Sequence, residues 1–105
     1  MKIALIMNEN SYAGREYLSG LFKKNIKIDV IQIGKFSENN INEDKRCCNL
    51  WKPDSIKLLS KFHNFFEFNS LKSIDLLEFL KNKNYDLGIQ GGTGILKSNI
   101  INNFN

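Results

Sequence analysis

The sequence predicts an α/β fold: a doubly wound, mostly parallel sheet of about four strands in the order 3-2-1-4, with helices on both faces. Extended apolar runs alternate along the chain with stretches whose apolar residues recur at helical spacing. Strands joined by helices of this length must run parallel, and right-handed crossovers then cover both faces of the sheet. The length of 105 residues allows one domain, 1–105, with one modest core.

The first third of the chain predicts a strand, a helix and a second strand. Lys2 to Met7 is an apolar run typical of a buried strand, and Ile28 to Ile33 has the β-branched residues that strands favour. Between them, Ala13 to Lys24 carries apolar residues on one helical face: Tyr17, Leu18, Leu21 and Phe22. Gly34 to Pro53 is polar and without a period, which is usual for a functional or mobile segment.

The rest of the chain repeats the alternation twice. A helix is predicted to begin at Pro53-Asp54, with Asp54 as its cap and Ile56, Leu59 and Phe62 on one face. Phe65 to Phe68 is the third predicted strand. Ser73 is expected to cap a helix through Lys81 with Ile74, Leu77 and Leu80 on its apolar face, and Tyr85 to Gln90 is the fourth strand. Lys97 to Phe104 looks helical.

Composition narrows the functional classes. The formal net charge is +4, but the lysines are scattered and no arginine cluster or aromatic ladder accompanies them, so nucleic-acid binding through this segment is not expected. The adjacent cysteines, Cys47 and Cys48, have no other cysteine to pair with, which indicates a reduced, intracellular protein. No segment has the length of a membrane span or the pattern of a signal peptide, so the predicted location is the cytoplasm.

The run Gly91 to Gly94, between the fourth strand and the last helix, is the strongest candidate for a binding loop. Residues with little or no side chain let a ligand approach backbone N–H groups, and the helix that follows adds partial positive charge. A tight strand-to-helix turn is the simpler explanation for one glycine, but three glycines in four residues favour close approach. Ile95 and Leu96 could belong to the core or line an apolar slot for a ring system.

The loop Asn8 to Tyr12 after the first strand is a second candidate. Its amides and hydroxyl suit a phosphate, a carboxylate or sugar hydroxyls, although Asn10 or Ser11 could simply cap the helix. In the order 3-2-1-4 the first and fourth strands flank the point where the strand order reverses, and ligands bind there at the carboxyl ends of the strands. The two loops are therefore expected on two sides of one crevice.

Other chemistry is not indicated. His63, the only histidine, is expected to face solvent or to cap a helix, and without a second histidine or a nearby cysteine it predicts no zinc site. Cys47 and Cys48 are interpreted as structural or incidental. Trp51 is taken as an anchor for its loop rather than as a platform for a flat ligand. The chain has no GxGxxG after the first strand, no P-loop, no nucleophile elbow and no catalytic carboxylate pair.

Two segments resemble the N-terminal half of folate-dependent formyltransferases, the family of glycinamide ribonucleotide transformylase and methionyl-tRNA formyltransferase. They are the R-x-x-x-L-W-x-P segment from Arg46 to Pro53 and the segment Asp86 to Lys97, above all Gly94-Ile95-Leu96. The resemblance implies a Rossmann-like domain that helps to bind 10-formyltetrahydrofolate and a primary-amine acceptor.

The resemblance also implies roles for particular residues. Contacts to the pterin of the donor would fall to Gly92, Thr93, Gly94, Ile95 and Leu96, and contacts to the acceptor to Asn10, Ser11 and Tyr12. The family's catalytic Asn, His and Asp match no position here, so we expect the chain to be the N-terminal part of a longer enzyme that does not catalyse the transfer alone.

The residues alone leave another function open. A non-catalytic, flavodoxin-like module that binds a nucleotide or a sugar phosphate would use the same two loops. Because the predicted order makes the fourth strand an edge, we also expect self-association through that edge.

Overall fold

A computed structural model describes residues 1–9, 11–34, 54–91, 96 and 98–104, with the backbone alone at Tyr12, Ser98 and Asn99. These residues form four strands and four helices in strict alternation. The strands are β1 Ile3–Asn8, β2 Asp29–Ile33, β3 Asn64–Phe68 and β4 Leu87–Gln90. The helices are α1 Tyr12–Lys23, α2 Ile56–Phe62, α3 Ile74–Lys83 and α4 Ser98–Ile101.

The four strands make one parallel sheet in the order β3-β2-β1-β4, which confirms the predicted topology. The register pairs Ile6 of β1 with Ile31 on one side and with Gln90 on the other. All four carboxyl ends therefore meet at one rim, which includes Gly34 after β2 and Gly91 after β4. At this rim Gly34 donates its N–H to the Phe68 carbonyl and Gly91 donates to the Ile6 carbonyl, each at 2.8 Å.

Helices cover both faces of the sheet, as the sequence predicts. Alternate residues of β1 point to opposite sides. Ala4 and Ile6 pack with Leu76 and Leu80 of α3 and with Ile100 of α4. On the other face, β1 and β2 pack with α1 and α2, and the buried residues of this cluster are Leu5, Met7, Leu18, Ile28, Val30, Ile56 and Leu59.

Several local predictions need correction. The N-cap of α2 is Ser55, which accepts a hydrogen bond from the Leu58 N–H, whereas Asp54 binds α1 through its backbone. Tyr17 and Ile74 are 53% and 72% exposed, although spacing put them on buried faces. When the apolar face of a helix is wider than the surface that packs on the sheet, the residues at its border stay exposed to solvent. In α3 the buried residues are Leu76 and Leu80.

The amino ends of the strands are held by a second set of contacts. The Tyr85 hydroxyl donates to Asp29 Oδ2 at 2.6 Å, and the Asn64 side-chain amide donates to Oδ1 of the same carboxylate at 3.0 Å. Tyr85 is buried, and the desolvation of its phenol together with the neighbouring carboxylate raises the pKa of Tyr85. These contacts tie the approach to β4 to the first residues of β2 and β3.

Candidate functional site

The loop after β1 and the end of β4 meet at the Ser11 hydroxyl. This hydroxyl donates to the Gly91 carbonyl at 2.9 Å and accepts from the Gly14 N–H at 3.2 Å, so one side chain caps α1 and also binds the residue after β4. The backbone of Ser11 donates to the Asn8 carbonyl, which closes the turn out of β1. The rim where the strand order reverses is therefore built around Ser11, as the placement of the two loops predicts.

The contact between α1 and β4 is close because two glycines face each other. A Cβ on Gly14 would lie 2.7 Å from the Gly91 carbonyl oxygen and 2.9 Å from the Cβ of Met7. A Cβ on Gly91 would lie 2.9 Å from Leu5 Cδ2 and 3.1 Å from the Cα of Gly14. Gly91 is thus required for the packing of α1 on the sheet, and its lack of a side chain is explained without a ligand.

An apolar cavity of about 250 Å³ lies beside β4 on the face covered by α3 and α4. Gly88 and Phe104 both line the cavity and lie close together, since a Cβ on Gly88 would be 2.9 Å from the Phe104 ring. The Phe104 ring in turn stacks on Tyr85 with the ring centroids 6.1 Å apart. The residues that line the cavity are Ile6, Gly88, Ile89, Gln90, Leu96, Ile101 and Phe104.

The predicted site residues fall into three groups. Ser11 lies at the rim and Tyr12 begins α1 next to it. Leu96 lines the cavity and also packs against the core cluster that includes Ile6 and Ile100, so both interpretations of this residue stay open. Asn10, which was assigned to the acceptor, and Gly92, Thr93, Gly94 and Ile95, which were assigned to the pterin, lie outside the described residues. So do Arg46, Cys47, Cys48, Trp51 and Pro53.

Sequence reasoning did not find Gly14, Gly88 or Phe104. Gly14 and Gly88 are single glycines inside a helix and a strand, where glycine is unfavourable unless something approaches closely. The unfavourable position of these two glycines was the signal that could have identified them. The sequence contains no such signal for Phe104, because only the fold brings it over Gly88.

The prediction that His63 faces solvent is wrong. The side chain is 2% exposed, and both ring nitrogens are hydrogen bonded. His63 is the C-cap residue of α2, so the alternative prediction of a capping role is confirmed for its backbone N–H, which donates to the Leu59 carbonyl. It lies directly before β3, at the amino end of that strand and away from the rim that carries Ser11.

Gln32, near the carboxyl end of β2, is a fully buried polar side chain. Its Nε2 donates to the Gly34 carbonyl at 3.4 Å, a long hydrogen bond, and its Oε1 has no partner among the described residues. Gly34 has a φ of +106°, and a Cβ there would lie 2.9 Å from the Glu9 side chain. The turn that follows β2 at the carboxyl rim of the sheet therefore also depends on a glycine.

Neither a metal site nor a membrane-spanning helix is found in the part of the chain that the structure describes. No group of three or more His, Cys, Asp and Glu side chains is placed to hold a metal ion there. None of the described helices has the length and apolar character needed to cross a membrane.

Comparison with family models, with curated proteins and with solved structures gives no match.

Proposed function

We propose that this chain forms the donor-binding, N-terminal part of a cytoplasmic folate-dependent formyltransferase with a Rossmann-like fold. In this proposal the ring system of 10-formyltetrahydrofolate occupies the cavity beside β4. The observation that carries the proposal is the position of Leu96, a residue that the resemblance assigns to the pterin and that lines this cavity.

The size and the lining of the cavity support a flat ring as the ligand. At about 250 Å³ it exceeds a cavity that admits benzene, roughly 150 Å³, and falls below the roughly 300 to 1,000 Å³ typical of sites that enclose a whole ligand. A bicyclic ring system therefore fits while the remainder of the donor extends outside. Phe104 offers an aromatic wall, which lies against the backbone of Gly88.

The backbone of β4 suits the polar edge of such a ring. Leu87 and Gly91 donate their N–H groups to β1, so the groups of Gly88, one residue out of phase with Leu87, point away from β1. A pterin carries donors and acceptors along one edge, and backbone N–H and C=O groups can match them. Contacts from Gly92 to Ile95 stay part of the proposal.

The acceptor would bind on the α1 side of the rim. The N-terminus of α1 carries partial positive charge, and no acidic residue lies in the first turn of the helix to oppose a bound anion. In the reaction the acceptor's primary amine attacks the formyl carbon. The new C–N bond forms, the bond from that carbon to N10 of the donor breaks, and a proton of the amine ends on the departing nitrogen.

The residues of this chain would bind and orient these two substrates. His63 is unsuited to the proton transfer, because it is buried at the opposite end of β3 and both ring nitrogens are already bound. The resemblance assigns the oxyanion donor and the proton-transferring groups to a segment that matches no position here. The proposal for this chain is therefore one of binding.

The structure also supports a second candidate, a module that binds a nucleotide or a sugar phosphate without catalysis. It rests on the capped N-terminus of α1 at the carboxyl end of β1, where backbone N–H groups favour a phosphate. This candidate does not require the cavity beside β4. The first candidate therefore needs the cavity beside β4, whereas the second needs only the N-terminus of α1.

Calorimetric titration with tetrahydrofolate separates the two candidates. Leu96→Trp fills the cavity, and Leu58→Trp places the same ring at a position of α2 that is 42% exposed. We expect Leu96→Trp to weaken tetrahydrofolate binding by about tenfold or more, which corresponds to about 1.4 kcal/mol, and Leu58→Trp to leave it unchanged. Circular dichroism checks that both variants are folded.

Two results would argue against the formyltransferase. One is the absence of heat with tetrahydrofolate at millimolar concentration in the wild type. The other is equal tetrahydrofolate binding by the wild type and a folded Leu96→Trp variant. Binding of AMP or inorganic phosphate to wild type and Leu96→Trp alike, with no binding of tetrahydrofolate, would support the second candidate.

A further inference from the structure

The imidazole of His63 joins three elements of the fold. Its Nδ1 accepts the backbone N–H of Ile28 at 3.2 Å, at the entrance to β2. Its Nε2 lies 3.1 Å from the carbonyl of Leu18 in the middle of α1. The residue itself ends α2, and its ring meets the ring of Phe62 edge-on. One side chain thus connects α1, β2 and the end of α2 inside the core.

These contacts determine the protonation state. A backbone N–H can only donate, so the nitrogen that accepts from Ile28 carries no proton. The ring proton of the neutral form is then on Nε2, which donates to the Leu18 carbonyl. A second proton on Nδ1 would face the Ile28 N–H, donor against donor, and would place a charge in the core. The site accepts the neutral imidazole only.

We propose that His63 is an acid-sensitive latch: protonation of Nδ1 breaks the bond to Ile28 and frees the end of α2 and the start of β2 from α1. The consequence reaches the rim, because α1 also carries Ser11 and Gly14, which contact the end of β4. Release of the latch loosens the helix that positions these residues.

The surrounding charges do not compensate an imidazolium. Lys27, just before β2, is the charge that acts on the ring, and it disfavours the protonated form. Asp29 on β2 already accepts hydrogen bonds from Tyr85 and Asn64. The charged residues next to these contacts along the chain are Arg15 and Glu16 before Leu18 on α1, Lys23 and Lys24 at the end of that helix, Lys27 and Asp29 at the start of β2, and Lys61 in the last turn of α2.

The direction of the pH effect follows from these groups. Burial is the largest influence and lowers the pKa of His63 below its usual 6.5, the hydrogen bond to Leu18 raises it, and Lys27 lowers it. The unfolded or released histidine therefore binds a proton more readily than the folded one. The contribution of the latch is complete above about pH 6.5 and is lost as the pH falls below that value.

Amide hydrogen exchange of Ile28 in the full chain tests the latch. We expect the protection factor of the Ile28 N–H to fall severalfold, and by at most about tenfold, between pH 7.5 and pH 5.5, because a single proton is taken up. His63→Asn is the control, because Asn offers an acceptor at the place of Nδ1 and does not titrate. A fall of the same size in His63→Asn, or no fall in the wild type, would overturn the proposal.

A second variant keeps the test decisive if His63→Asn does not fold. Lys27→Gln leaves the imidazole in place and removes the cation that disfavours its protonation. The folded-state pKa of His63 then lies closer to that of the released histidine, so the loss of Ile28 protection between pH 7.5 and pH 5.5 should be smaller than in the wild type. An unchanged pH profile in Lys27→Gln would show that protonation of His63 does not control this amide.

Discussion

The Ser11 hydroxyl binds the Gly91 carbonyl at 2.9 Å, across 80 residues of sequence, and at the same time caps α1. The first contact holds the loop after β1 to the end of β4, and the second fixes the direction of the helix that leaves the rim. This double role predicts that Ser11 stabilises the fold more than an ordinary cap.

Replacement of Ser11 measures that difference. Ser11→Ala removes an N-cap, typically worth about 0.5 to 2 kcal/mol, and also leaves the partly buried Gly91 carbonyl without its donor. Ser55→Ala is the matched control, because Ser55 caps α2 at an exposed site through its bond from Leu58. In urea unfolding, Ser11→Ala should lower the free energy of unfolding by about 1 kcal/mol more than Ser55→Ala does. Equal losses would mean that the bond to Gly91 adds nothing.

The two glycines of α1 should respond in opposite directions to alanine. A Cβ on Gly14 would lie 2.7 Å from the Gly91 carbonyl oxygen, and overpacking of this kind costs roughly 1 to 3 kcal/mol. A Cβ on Gly20 would meet no atom within 4 Å outside its own helix backbone, so Gly20→Ala gains helix propensity of about 1 kcal/mol. Thermal unfolding should show a lower Tm for Gly14→Ala and a higher Tm for Gly20→Ala. A stabilised Gly14→Ala would contradict the close contact between α1 and β4.

Tyr85 should lose stability when its hydroxyl is removed. Tyr85→Phe deletes the donor to Asp29, and hydrogen bonds to a charged group contribute about 1.5 to 3 kcal/mol. Tyr17→Phe, at an exposed position, should change the free energy of unfolding by less than about 0.5 kcal/mol. Because the pKa of Tyr85 is raised in the folded state, its contribution is complete below about pH 10 and falls at higher pH. Denaturant unfolding at pH 7.5 and 10.5 measures both effects.

Gln32 is a position where a polar side chain should be less stable than an apolar one. Its Oε1 is buried without a partner among the described residues, a situation that costs about 1 to 3 kcal/mol, and its one hydrogen bond is long. Gln32→Met keeps the length and removes the unsatisfied oxygen, so the free energy of unfolding should rise by about 1 kcal/mol. A loss of more than about 1 kcal/mol in chemical denaturation would show that the bond to Gly34 outweighs the buried oxygen.

One expectation from the sequence stays a prediction. Among the described strands, β4 pairs with β1 alone, as the order 3-2-1-4 requires, and Leu87 on this edge is 45% exposed. Self-association through β4 was expected because an unpaired edge strand pairs readily with other chains. Light scattering across a range of protein concentrations tests it.

The sequence by itself determined the order and type of the elements and the topology of the sheet. Apolar runs at Ile3–Asn8 and Asp29–Ile33, separated by a helical period, allow only a parallel crossover, and the reversal at β4 then brings the two loops to one rim. Local chemistry also offered Asn10 or Ser11 as the cap of α1, and the structure shows that Ser11 has this role. These features depend on residues close in sequence, where spacing and propensity act directly.

Only the tertiary structure decided which side chains are buried and why. Gly14 and Gly91 meet across 77 positions, His63 finds its partners in Leu18 and Ile28, and Phe104 lies over Gly88. A lone histidine or phenylalanine has the same local pattern whether it lies in the core or in solvent. The packing of α1, α2 and the segment after β4 on the sheet selects between these states, because burial is a property of distant neighbours and not of spacing along the chain.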